Sequence, residues 1–196
     1  MKTAALILAA GRSSRYGSPK QFLEINGQNL VQRAATLAQS VFCNPIIVIT
    51  GAYHQEITSC HFPNEMELHH NPNWEKGMGS SLAFGVNLLI KNHPNTEAAF
   101  ILLPDQAMVS ADTLQNLAIL LKNTTDRIAL CRHNDTPSPP SLFHRDLFPD
   151  LAQLSGDNGG KNIVKNNLHL AKFHQTPEVD YDIDRPEDWE RFCEVS

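Results

Sequence analysis

The sequence predicts a three-layer α/β/α sandwich built around a mostly parallel sheet. Three observations predict it. Apolar runs of strand length recur along the 196-residue chain, and segments of helical length and period separate them. The runs themselves lack period-2 alternation, as expected of strands buried on both faces. Strand–helix alternation of this kind implies right-handed crossovers, with helices covering both sides of the sheet.

The elements follow in order. Ala4 to Ala9 is a continuous apolar run and the first strand; Pro45 to Thr50, β-branched and bounded by Asn44 and Gly51, is the second. Ala98 to Leu103, stopped by Pro104, is the third, and Arg127 to Cys131 the fourth. Leu30 to Phe42 carries apolar residues at helical spacing. Ser80 to Ile90 opens on a Ser-Ser N-cap, and Ser110 opens a further helix with Asp112 in its first turn. Thr136 to Pro140 reads as a stiff extended loop, Leu147 to Leu154 as a short helix and Leu168 to Phe173 as an edge strand. Pro186 takes the first position of a closing helix, Glu187 to Cys193. Length, with no repeat or linker in view, predicts one domain spanning 1–196.

Composition narrows the function classes. Sixteen Lys and Arg against 21 Asp and Glu leave a net charge of −5, which argues against nucleic-acid or anionic-membrane partners. The four cysteines form no C-x-x-C pair and read as idle thiols in a reducing compartment, so the chain is expected to be cytoplasmic. Neither H-E-x-x-H nor G-x-S-x-G is present, which lowers hydrolase readings. His69 and His70, being neighbours, would point to opposite faces of any strand and cannot chelate together.

Ligands of open α/β sheets bind beyond the carboxyl ends of the strands, so the residues that follow each strand matter most. After the first comes Ala10-Gly11-Arg12-Ser13-Ser14-Arg15-Tyr16-Gly17-Ser18-Pro19-Lys20-Gln21. Small residues admit a ligand close to the backbone, successive N–H groups can nest an anion, and three cations within nine residues suit a triphosphate. The loop matches neither the P-loop nor the dinucleotide fingerprint. After the third strand, Asp105 in Pro104-Asp105-Gln106 is placed to hold Mg²⁺, or else to cap a turn. Asp180, Asp182 and Asp184 share one face if extended, and a nearby cation would relieve their repulsion; Glu187 and Asp188 read as capping residues. Asn71 to Leu82, with Gly77, Gly79, Ser80 and Ser81, can hold an anion or base edge, or simply cap a helix. The loop from Ser155 to Lys161 is equally ambiguous, with Asp157 and Lys161 as its polar candidates.

Taken in order, five motifs resemble a known family. They are Leu8-Ala9-Ala10-Gly11-x-Ser13-x-Arg15-x-Gly17-x-x-Lys20; Asn71 with Gly77-Met78-Gly79-Ser80-Ser81-Leu82; Pro104-Asp105-Gln106; Gly156-Asp157-x-Gly159-Gly160-Lys161; and Asp182-Ile183-Asp184-x-Pro186-Glu187-Asp188. Together they resemble the molybdenum cofactor cytidylyltransferase branch of the molybdopterin nucleotidyltransferase-like family, over nearly the whole chain. The resemblance implies a Rossmann-like fold of the nucleotide-diphospho-sugar transferase type and Mg²⁺-dependent transfer of CMP from CTP to the pterin phosphate, with pyrophosphate leaving. It also implies a molybdoenzyme as recipient of the product. Carried over by position, Arg15, Lys20 and Asp105 would be catalytic, and Ala9, Ala10, Gly11, Ser13, Arg15, Lys20, Ser80 and Ser81 would hold the nucleotide. Asn71, Gly79, Gln106, Asp157 and Lys161 would face the acceptor, and Asp105 with Asp182 or Asp184 would bind the metal. Ala10-Gly11, where the guanylyl branch usually has Gly-Gly, favours a pyrimidine.

Two positions depart from the family pattern. Asp135 to Phe143 keeps a proline but lacks the usual Gly-His-Pro element, and Tyr16 stands where methionine is common. Two other readings compete. Pro19-Lys20-Gln21-Phe22-Leu23 with Gly27 looks like the entry loop of sugar- or methylerythritol-phosphate cytidylyltransferases, although Pro104-Asp105-Gln106 differs from their Asp-Ala/Ser-x-Arg-Pro. The altered acceptor stretch also suits a non-catalytic nucleotide- or pterin-binding cofactor chaperone.

Overall fold

A computed structural model describes residues 1–62, 66–157 and 159–195. Its strands are β1 (Thr3–Ala9), β2 (Glu24–Ile25), β3 (Gln28–Asn29), β4 (Ile46–Thr50), β5 (Met66–His70), β6 (Ala98–Leu102), β7 (Ile128–His133), β8 (Thr136–His144) and β9 (Ala171–Gln175). The helices are α1 (Leu30–Ser40), α2 (His54–Thr58), α3 (Met78–Asn92), α4 (Ala111–Leu121), α5 (Phe148–Leu151), α6 (Lys161–Asn166) and α7 (Pro186–Val195). Seven strands form one sheet in the order β5-β4-β1-β6-β8-β7-β9, with β2 and β3 a separate small hairpin. β1 pairs in parallel with both β4 and β6, and β8 runs antiparallel to β6 and β7.

The central strand shows why the sheet is two-sided. Ala5, Ile7 and Ala9 of β1 pack into the core beneath α1 and α4, while Ala4, Leu6 and Leu8 pack into the core beneath α3 and α5. An apolar run without alternation is therefore what a strand in this position needs. A third, smaller core of Leu30, Ala107, Ile183 and Phe192 ties α7 to the loop after β6. That contact carries the chain's last acidic segment to the middle of the sheet.

Several sequence expectations shift. Thr136 to Pro140 is not a loop but the first half of β8. The prolines fit because β6 accompanies β8 only over Ser141–His144, and a register shift between Leu130 and Cys131 of β7 sets Pro139 and Pro140 outside the ladder. A missing N–H costs nothing at such a bulge. β5 is an edge strand that five residues of mixed polarity did not announce. On it His70 stacks on His54, with ring centroids 4.8 Å apart, while His69 bonds Glu67. α3 begins at Met78, with Gly77 in the N-cap position, so Ser80 and Ser81 lie inside the helix. Leu168–Leu170 is a 3₁₀ turn before β9. Among the described residues, no helix is long and apolar enough to cross a membrane.

Candidate active site

From β1 the chain reaches β4 on one side of the sheet and later β6 on the other, so the loops leaving β1 and β6 part over the sheet's carboxyl edge. Ligands bind at such switch points. A cleft of about 410 Å³ lies there, lined by residues 8–15, Lys20, Gln21, Trp74, Met78, Leu103–Asp105, Asp157 and Asp184 among others.

The loop after β1 is held from both sides. Gln21 is buried; its Nε2 donates to the Gly11 carbonyl at 2.6 Å, and its Oε1 accepts from the Ser13 hydroxyl at 2.8 Å. Ala52 N–H donates to the Ala10 carbonyl at 3.1 Å and the Tyr53 hydroxyl to the Arg12 carbonyl at 3.0 Å. Ser13 takes a left-handed φ of 57°, a strained conformation for serine that these latches maintain. Arg12 lies over the Trp74 ring and donates to Glu75, joining the loop to the other wall of the cleft.

Lys20 and Asp105, 85 residues apart, meet in this cleft. The Lys20 ammonium donates to Asp105 Oδ2 at 2.7 Å, to Asp184 Oδ1 at 2.9 Å and to the Ile183 carbonyl at 2.7 Å. Arg15 donates to the second Asp184 oxygen at 3.0 Å. Ile183 reaches this place because its N–H donates to the Asp105 carbonyl at 3.0 Å and because Gln106 bridges to Asp182. Burial works to lower the Lys20 pKa, but the charges and hydrogen bonds of Asp105 and Asp184 outweigh it and hold the group above the usual lysine value. The same hydrogen bond from Lys20 pulls Asp184 below the ordinary carboxylate range. Asp182 moves the other way: burial, reinforced by the nearby Asp105 charge, pushes its pKa up to about 6.

The expected site residues divide into two groups. Ala9, Ala10, Gly11, Ser13, Arg15, Lys20, Ser81, Asp105, Asp157 and Asp184 line the cleft. Ser80, Asn71, Gly79, Gln106, Lys161 and Asp182 do not. Asn71 is 1% exposed and spends its amide on the Ser80 and Ser81 hydroxyls and its oxygen on Asn73 N–H. Gly79 donates its N–H to the Gly156 carbonyl at 2.7 Å, joining the first turn of α3 to the glycine-rich loop before α6. Gln106 donates to Asp182 Oδ1 and to the Pro139 carbonyl, which makes it a brace for the C-terminal segment. Lys161 is exposed on the first turn of α6. Asp188 caps the last turn before α7, accepting from the Asp184 and Arg185 N–H groups. Sequence reasoning passed over Gln21, Trp74 and Met78. Only the Gln21 position, next to a cation in a Gly-rich loop, offered a signal.

The donors present fit a divalent ion. Asp105 Oδ1 is buried with no partner, and Asp184 faces the same ammonium as Asp105. Among the described residues, no three His, Cys, Asp or Glu side chains form a ready cage. Mg²⁺ asks for none, since one or two carboxylates complete its shell with phosphate oxygens and water.

A family model for the MobA-like NTP transferase domain matches residues 5–173. The chain belongs to the MobA-like NTP transferase family. This transferase is 27% identical over 196 residues to the purine catabolism protein PucB of Bacillus subtilis (strain 168), covering 94% of this chain and 93% of that one. It superposes on the crystal structure of Rv0371c from Mycobacterium tuberculosis H37Rv with a TM-score of 0.85 at 26% identity, over 99% and 98% of the two chains. A structure of Rv0371c in complex with manganese has a TM-score of 0.81 at 24% identity and covers both chains in full (100% and 100%). The fold is of the nucleotide-diphospho-sugar transferase type, and the transferase is a nucleotidyltransferase acting on a nucleoside triphosphate.

Proposed function

We propose that this nucleotidyltransferase moves CMP from CTP to the phosphate of the molybdopterin cofactor and releases pyrophosphate, with Mg²⁺ held by Asp105 and Asp184. The meeting of Lys20, Asp105 and Asp184 beside the Gly11–Arg15 loop carries this reading. An oxygen of the acceptor phosphate attacks the α-phosphorus of CTP, the bond to the β-phosphate oxygen breaks, and pyrophosphate departs with that electron pair. No nucleophilic side chain is needed, so the protein's task is positioning and charge neutralisation. Ala10, Gly11 and Ser13 offer short side chains and backbone to the base, ribose and phosphates, Ser81 adds a hydroxyl on the facing wall, and Asp157 faces the acceptor. Arg15 and Lys20 neutralise the triphosphate, and Lys20 balances charge on the departing pyrophosphate. A divalent ion on the two aspartates would neutralise phosphate oxygens and orient the α-phosphate; the structure of Rv0371c in complex with manganese supports a divalent ion. Ala10 in place of the guanylyl branch's glycine supports a pyrimidine. Four free cysteines support a cytoplasmic protein, one whose product a molybdoenzyme would take up.

The test is pyrophosphate release from CTP, GTP, ATP and UTP, each with and without Mg²⁺, using the phosphorylated pterin as acceptor. Preferential turnover of CTP is expected. Turnover only with methylerythritol phosphate or a sugar phosphate would move the acceptor assignment. CTP binding without turnover on any phosphorylated acceptor would make the protein a carrier.

A further inference from the structure

An ammonium group has three N–H donors, and Lys20 uses all three inside the protein, on Asp105 Oδ2, Asp184 Oδ1 and the Ile183 carbonyl. None is left for a phosphate. The carboxylates are engaged to the same degree: of the four oxygens of Asp105 and Asp184, two accept from Lys20 and one from Arg15. Only Asp105 Oδ1, buried, has no partner. An ion arriving alone therefore meets a full positive charge already seated between its two ligands. An ion and an ammonium a few ångströms apart in a partly buried site repel strongly.

We propose that Lys20 is a resident cation that closes the Asp105–Asp184 pair to a divalent ion until the phosphates of a nucleotide draw the ammonium away, so that metal entry depends on nucleotide. This rests on the reading of the pair as the metal site. The exchange conserves charge, because the ammonium passes from carboxylates to phosphates as the ion takes its former place. Two features make the exchange practicable. The Lys20 backbone is anchored by the neighbouring buried Gln21, so the side chain can swing on a fixed base. Arg15, the other cation on Asp184, is 72% exposed and can leave at little cost. By linkage, nucleotide must raise metal affinity by the factor by which metal raises nucleotide affinity.

Removing the amine should therefore have opposite effects on metal binding and on turnover, which a merely structural lysine would not. The experiment titrates Mn²⁺ alone into the full chain and follows free Mn²⁺ by electron paramagnetic resonance, for wild type, Lys20→Met and Lys20→Arg, with Asp105→Asn to identify the site. Lys20→Met is expected to bind Mn²⁺ about tenfold or more tightly than wild type, as follows from removing charge-assisted hydrogen bonds that the ion must otherwise break. Lys20→Arg, which keeps the cation, should stay near wild type. Equal affinities for wild type and Lys20→Met would overturn the proposal and leave the metal site standing. If neither protein binds Mn²⁺ at Asp105, with or without CTP, the metal site itself is wrong and the proposal falls with it. A measurement on wild type alone guards against a misfolded variant. Nuclear magnetic resonance of the lysine ammonium groups should show Lys20 hydrogen-bonded and unmoved by Mg²⁺ alone, then shifted by CTP with Mg²⁺. Displacement by Mg²⁺ alone would also overturn it.

Discussion

Two glycines, Gly11 on the loop after β1 and Gly51 packed against that loop, should respond in opposite ways to one added methyl group. A Cβ at Gly51 would lie 2.5 Å from the Ala10 carbonyl oxygen and 2.6 Å and 2.7 Å from Cγ and Cβ of Trp74. Neither neighbour can retreat freely, since the Ala10 carbonyl accepts from Ala52 and the Trp74 indole carries Arg12. Overpacking of this kind costs about 1–3 kcal/mol. For a chain of this size each kcal/mol lowers the melting temperature by about 2–4 °C, so Gly51→Ala should melt about 2–12 °C early. A Cβ at Gly11, which lines the cleft, meets nothing within 4 Å. Gly11→Ala should therefore melt like wild type, within the roughly 0.5 kcal/mol of a neutral surface change. Its methyl group would stand where the ligand approaches the backbone, raising KM for the nucleotide about tenfold, the cost of one displaced close contact. Calorimetry and initial-rate kinetics on both variants check the pair. Unchanged melting of Gly51→Ala together with unchanged KM in Gly11→Ala would refute the division between a glycine kept for packing and one kept for the ligand.

Three further outcomes are expected. Asp105→Ala should lose Mg²⁺-dependent turnover by about a hundredfold or more, with a circular dichroism spectrum like wild type, because it removes a ligand and not core packing; wild-type rates would remove Asp105 from the site. Arg15→Ala should change stability by less than about 1 kcal/mol, given its exposed ion pair, yet raise KM for the triphosphate; a stability loss with unchanged KM would make Arg15 structural. Asp182 has a folded pKa of about 6 against an unfolded value of 3.8, so the fold binds the extra proton between those values. Its contribution is present below about pH 4 and is lost as pH rises through about 6. Asp182→Asn should therefore gain on the order of 2 kcal/mol relative to wild type at pH 8 and little at pH 4. Chemical denaturation at the two pH values measures this, and an equal effect at both would show that Asp182 is not held protonated.

Much of the fold was legible because burial leaves a local trace. Ala4 to Ala9 and Pro45 to Thr50 are apolar on both faces, which only a covered central strand tolerates. Ser110 caps α4 through Thr113 N–H, and Pro186 opens α7, as their positions in the sequence indicate. β8 was hidden by its own prolines, whose missing donors rule out a ladder unless a bulge in the strand itself or a side with no accompanying strand excuses them. β5, no shorter than β4 or β6, was hidden by the mixed polarity of its residues, which an edge position leaves only half-buried.

The sequence by itself determined which segments leave the sheet at its ligand-binding edge, and that one of them is cationic and two acidic. Tertiary structure alone decided which of those groups touch. Asp182 and Asp184 are indistinguishable by spacing, yet Gln106 holds the first while Lys20, 164 positions away, holds the second. Asn71, Ser80 and Gln106 have the chemistry of ligand-binding residues but are committed to hydrogen bonds within the protein. Periodicity records whether a position is buried, because burial acts on each residue in turn. Pairing acts between residues distant in sequence, and it depends on crossover geometry and loop packing that no local pattern encodes.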